Sequence, residues 1–195
     1  APYVMSHPAF VLEWADGRLL LVDAGMTREG ALAFGRLIEL LGDASPIEPL
    51  GGAAERLGEA RRRVGGVVFT HLHEDHTGGL AALCDGGPAA VPIFMTPPQQ
   101  DVVNYTTRGA RRAVLEASCA RPTQLDGGSL RLLPGFPGVA VFPAAGHTPG
   151  SQIVFARVAN RPYALIGDIA NAGDGIGLRI DDDPPVAAEV PACTQ

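Results

Sequence analysis

Three imidazoles and two carboxylates lie within six consecutive residues, His71-Leu72-His73-Glu74-Asp75-His76. The sequence holds only five histidines, so three of them in one short run calls for a chemical reason. Metal binding is the simplest. Imidazole and carboxylate together suit zinc first, and iron or manganese as alternatives. His71 and His73 are two residues apart and point the same way in an extended segment. Asp75 and His76 fall on a turn entering the next helix, where adjacent side chains can face different sides of a site. Two neighbouring metals could therefore be served, one by His71 and His73, the other by Asp75 and His76.

Strand ends must deliver these groups. The run follows the apolar stretch Gly66-Val67-Val68-Phe69-Thr70 and precedes Thr77-Gly78-Gly79. Two more candidate ligands follow strands in the same manner. His147 stands in Gly146-His147-Thr148-Pro149-Gly150 after strand 139–142, and Asp168 in Ile166-Gly167-Asp168 after strand 163–167. Residues 9–14 and 18–23 predict a hairpin about Asp16-Gly17. The apolar pattern through Ala31, Phe34, Leu37, Ile38 and Leu41 predicts a helix over 29–41. Further helices are expected at 53–63 and 78–84, and strands at 91–95, 130–133 and 152–158. The stretch 100–117 reads as a partly helical cover over the site, with Asp101, Asn104, Tyr105 and Arg108 as its polar members. Hairpins and helices alternate in two successive halves, which favours two sheets with helices outside them. After Asn171 the pattern decays into loop.

The ordered set is similar to that of the metallo-beta-lactamase superfamily. Its HxHxDH motif stands here as His71, His73, Asp75 and His76, its next histidine as His147, and its bridging aspartate as Asp168. Leu20-Leu21-Val22-Asp23-Ala24-Gly25 resembles its early strand and turn, with Asp23 supporting the site from behind. The resemblance covers nearly the whole chain. It implies an α/β fold, a four-layer αβ/βα sandwich with the site at one edge of the sheets. It implies two zinc ions, one on His71, His73 and His147, the other on Asp75, His76 and the bridging Asp168. Asp75 would also orient a hydroxide for attack. The family's usual final histidine has no counterpart after Asp168. That gap and the formless tail favour missing sequence, with the sandwich incomplete at the C-terminus, over a differently built second site. Asp174, Asp181, Asp182 and Asp183 are expected to be solvated loop acids, and Cys193 an ordinary cysteine. His7 could line the pocket, but a local or surface role is favoured.

Composition bounds the remainder. The chain has 195 residues, 46% apolar and 18% charged, and is expected to be one domain over 1–195. A net charge of -6 argues against non-specific nucleic-acid binding. Arg61-Arg62-Arg63 reads as a solvated helix end rather than an anion site. No apolar run reaches the length of a membrane span. No signal peptide is visible, and the Ala1-Pro2 start suggests processing or trimming, so cytoplasmic and exported locations both stay open. Cys84, Cys119 and Cys193 form no CxxC motif and are expected to be thiols rather than a Cys84–Cys119 disulfide. The expected partner is a small molecule. The resemblance, with Phe142–Ser151 similar to the lactonase, beta-lactamase and organophosphate-hydrolase branches, implies a lactone or related ester or amide as the first substrate choice, before a beta-lactam or a phosphodiester or phosphotriester. A di-iron redox protein and a non-catalytic binding protein are the alternatives from other classes.

Overall fold

The computed structural model describes residues 7–42, 46–126 and 129–170. The loop-rich stretch expected after Asn171 lies outside them, as do Asp174, Asp181, Asp182, Asp183 and Cys193.

Strands β1 (Phe10–Glu13) and β2 (Leu19–Val22) pair antiparallel about the Asp16-Gly17 turn, with Phe10 opposite Val22. Then β3 (Val64–Val68), β4 (Val91–Met95) and β5 (Ala120–Gln124) add in parallel, giving a five-stranded sheet in the order β1-β2-β3-β4-β5. The second sheet is antiparallel, β6 (Arg131–Leu132), β7 (Val139–Pro143), β8 (Gln152–Val158) and β9 (Arg161–Leu165) in sequence order. Ala159 and Asn160 turn β8 into β9 with φ of 48° and 62°, the handedness that two-residue hairpins favour.

Strand β2 explains why both faces of the first sheet are apolar. Leu19 and Leu21 face a core shared with helices, whereas Leu20 and Val22 face the second sheet. The helical side is covered by α2 (Ala53–Leu57), α4 (Leu80–Cys84) and α6 (Arg108–Glu116), through Ala53, Leu83 and Val114 among others. The other core joins Val68 and Phe94 to Val141, Val154 and Phe136. This is the expected α/β arrangement of two facing sheets with helices outside.

Helix α1 (Arg28–Leu40) is capped by Thr27, whose hydroxyl accepts from Gly30 N at 3.0 Å. The short helices α3 (Glu74–Thr77) and α5 (Pro97–Asp101) follow β3 and β4. Four sequence expectations change. The helix expected at 53–63 stops at Leu57 and tightens into a 3-10 turn over Gly58–Arg63. Strand β5 was not anticipated, since Ala-Arg-Pro-Thr-Gln lacks a strand pattern. It sits at the edge of the sheet, where Pro122 leaves no interior ladder bond unmade. Cys84 and Cys119 form a disulfide with Cα atoms 5.1 Å apart. The expectation of thiols fails because β4–β5 pairing carries the end of α4 to the start of β5, a contact that spacing does not reveal. The three arginines are also less free than expected. Arg61 and Arg62 donate to the carbonyls of Asp85 and Gly86 just beyond α4, and Arg63 to Glu13.

Candidate metal centre

Strand β3 runs into Phe69, Thr70 and His71, and its end is fastened to both sheets. The Phe69 carbonyl accepts from Gln99 Nε2 at 2.9 Å and Gln152 Nε2 at 2.7 Å, and Gln152 N donates to Thr70 O. These buried amides bring the start of β8 and helix α5 against the histidine run. Asp23, just after β2, is 1% exposed and collects three donors. Its Oδ1 accepts from Thr70 N at 2.7 Å, and its Oδ2 from Thr70 Oγ1 and His76 Nδ1, each at 2.8 Å. Asp23 thus holds His76 from behind, as the resemblance implies.

The structure brings His71, His73 and His147 into one group. His73 Nδ1 lies 3.1 Å from His71 Nε2 and 3.1 Å from His147 Nε2. The hydrogen-bond network assigns two tautomers. Thr70 Oγ1 donates to Asp23, so it accepts from His71 Nδ1 at 3.2 Å, leaving Nε2 as a lone pair. Thr106 Oγ1 donates to Asn104 Oδ1 at 2.7 Å, so it accepts from His73 Nε2 at 3.1 Å, leaving Nδ1 as a lone pair. Two lone pairs therefore face each other across a gap shared with a third imidazole. A cation bound in this gap would take both electron pairs and relieve their mutual repulsion. Burial first, then His76 and His73, hold the His71 pKa down to about 3. Burial and His147 also lower that of His73. Both rings stay neutral, the form that ligates metal.

Asp75, His76 and Asp168 form a second group together with His7. With Nδ1 committed to Asp23, His76 turns Nε2 toward Asp168 Oδ1 at 3.3 Å and Asp75 Oδ2 at 3.4 Å. That nitrogen is buried and makes no hydrogen bond. Burial disfavours charge on this ring, yet the carboxylates of Asp168, Asp23 and Asp75 outweigh it and push the pKa up to about 12. The same carboxylates that favour positive charge on this ring would favour a metal cation beside Nε2. Asp168 also approaches the first group, its Oδ2 3.8 Å from His147 Nε2, so its carboxylate stands between the two. Glycine permits this position. Gly167 has φ +55°, and a Cβ on it would come within 2.4 Å of Thr70 Oγ1. The donors fit zinc in both groups, imidazole alone in one and mixed imidazole and carboxylate in the other.

All six residues singled out in the sequence thus lie in these two groups. Sequence reasoning missed Thr106. Its signal was the Asn104-x-Thr106-Thr107 turn, in which Asn104 Oδ1 accepts from both threonine N–H groups at 3.0 Å. The expected cover is α5, an open stretch over 102–107 and α6, and Tyr105 on it is 90% exposed.

Comparison with known proteins agrees with this geometry. No curated protein sequence matches the chain. Among solved structures, an N-acyl homoserine lactone hydrolase with N-hexanoyl-L-homoserine bound at its catalytic metal centre shares 21% identity and a TM-score of 0.56, covering 82% of this chain and 62% of its own. A B. thuringiensis AiiA variant with N-decanoyl-L-homoserine bound at the active site gives 21% identity and a TM-score of 0.56, over 82% of this chain and 62% of that one. The hydrolase AbOPH of the beta lactamase superfamily gives 19% and 0.53, covering 83% and 55%. The chain therefore spans less than two thirds of the length of these structures. The sequence pattern of the metallo-beta-lactamase superfamily matches residues 2–188, and the chain belongs to that superfamily.

Proposed function

We propose that the protein is a zinc-dependent hydrolase acting on a lactone or a related ester or amide. The observation that carries the reading is the convergence of His71, His73 and His147, with the lone pairs of His71 and His73 turned inward by Thr70 and Thr106. In this reading these three residues hold one zinc. Asp75, His76 and Asp168 would hold a second. Zinc supplies Lewis acidity and a source of hydroxide near neutral pH.

The chain's own groups do the rest. Burial works against charge on Asp75, but His7 and His76 outweigh it and hold the carboxyl well below the usual range. Asp75 is thus an ionised acceptor, able to orient a water or hydroxide by hydrogen bonding. The buried Gln99 and Gln152 amides keep the end of β3 from moving as charge develops. No covalent nucleophile is required.

The segment Phe142–Ser151 is similar to that of the lactonase, beta-lactamase and organophosphate-hydrolase branches, and the choice of a lactone among their substrates is supported by the fold shared with lactone hydrolases. Among the described residues no helix is long and apolar enough to cross a membrane. The test is a panel of lactones, beta-lactams, thioesters and phosphoesters with zinc-loaded protein. Lactone turnover well above the other classes is expected. Turnover confined to phosphoesters or beta-lactams would overturn the substrate choice. Bound iron with redox activity and no hydrolysis would overturn the hydrolase reading itself.

A further inference from the structure

We propose that His7 is a ligand of the metal held by Asp75, His76 and Asp168, an imidazole from the start of the chain completing the second site. The proposal rests on the metal-centre reading above and extends it to a residue outside the His71–His76 run.

Strand pairing explains why His7 reaches the site. Strand β1 runs antiparallel to β2, and Phe10 is opposite Val22. The residues before Phe10 therefore pass over those after Val22, which are Asp23, Ala24 and Gly25. Ala9 packs there, since a Cβ on Gly25 would stand 4.0 Å from its own. Ala24 N donates to His76 O at 2.7 Å, so this turn is already joined to the histidine run. Two residues further back, His7 arrives beside Asp75.

The contact geometry is that of a ligand set. His7 Nδ1 lies 2.5 Å from Asp75 Oδ2. The His7 ring stands edge-on to His76 at 90°, with centroids 5.9 Å apart. Ligand atoms of His7, Asp75, His76 and Asp168 all fall within 4.8 Å of one another. The buried, unpartnered Nε2 of His76 belongs to this same set. Among the described residues, the set without His7 has three protein donors, two of them carboxylates. With it, the set gains the fourth donor that zinc commonly takes, and a second neutral one. The five histidines of the sequence are then divided three and two between the groups. A plain imidazolium–carboxylate pair with Asp75 would explain the short contact, but it makes a different prediction about metal.

The test is a cobalt(II) titration of the metal-free full chain, followed by visible absorption and competition with a chelator. The native protein should bind two equivalents. His7→Ala should leave the first equivalent unchanged and weaken the second by more than about 100-fold, beyond what loss of an outer partner typically costs. Free imidazole should restore it, which a misfolded variant would not allow. His7→Cys should bind the second equivalent with a new thiolate-to-cobalt charge-transfer band. Native second-site affinity in His7→Ala, with no such band in His7→Cys, would overturn the role of His7 alone. A native chain that binds no cobalt would overturn the metal-centre reading, and this proposal with it.

Discussion

Thr106 and Asp23 do for single ligands what strand ends do for the site as a whole. Each receives the ring N–H that would otherwise be free to move, so the opposite nitrogen is aimed inward. Thr106→Val removes the acceptor for His73 Nε2 while keeping the side-chain shape. It should weaken the first metal by about 10- to 100-fold. Chelator competition would show this, with unchanged affinity as the contrary result. Six of the seven residues of the two groups were legible because short spacing and strand ends are written locally in the chain. Thr106 was not, because its bond to His73 spans 33 residues and a hydroxyl carries no ligand signature. The position of His7 depends on β1–β2 register, so the sequence left a surface role as the simpler reading.

At the scale of elements, close approach decides whether Asp168 reaches the centre. The 3-10 turn over Gly167–Ile169 presses its first residue against Thr70. Gly167→Ala would place a methyl group in that contact and force a positive φ on a residue that resists it. A cost of about 1–3 kcal/mol is expected, with loss of second-site metal affinity. Urea unfolding of the metal-free protein measures the first effect, and an unchanged midpoint would contradict it. The Cys84–Cys119 bond acts elsewhere, tying α4 to β5 across 35 residues. Loop-closure entropy puts its contribution at about 3–4 kcal/mol. Urea midpoints with and without reductant should differ accordingly, and Cys84→Ser should abolish the difference. Coincident curves for the native chain would argue against the bond. The strands around the site were legible as apolar runs, and the hairpin as Asp16-Gly17. Strand β5 was not, because edge pairing along β4 asks little of side chains.

Across the whole molecule, two sheets and their helices share one purpose, bringing remote segments to the ends of β2, β3, β7 and β9. Residues 7, 23, 71–76, 147 and 168 meet there although they span most of the described chain. The net charge of -6 is consistent with this design, since cations at the centre would offset part of it. Membership of the superfamily rests on nearly the full length, whereas substrate specificity depends on loops and cover segments that the sequence marks only weakly. The most direct test of the central claim is zinc content and hydrolysis measured together as zinc is added back to chelator-treated protein. Lactone hydrolysis should be absent at the start and rise with zinc bound at His71, His73 and His147, and His73→Ala should remain folded and inactive throughout. Full hydrolysis by the zinc-free protein, or by His73→Ala, would contradict the account.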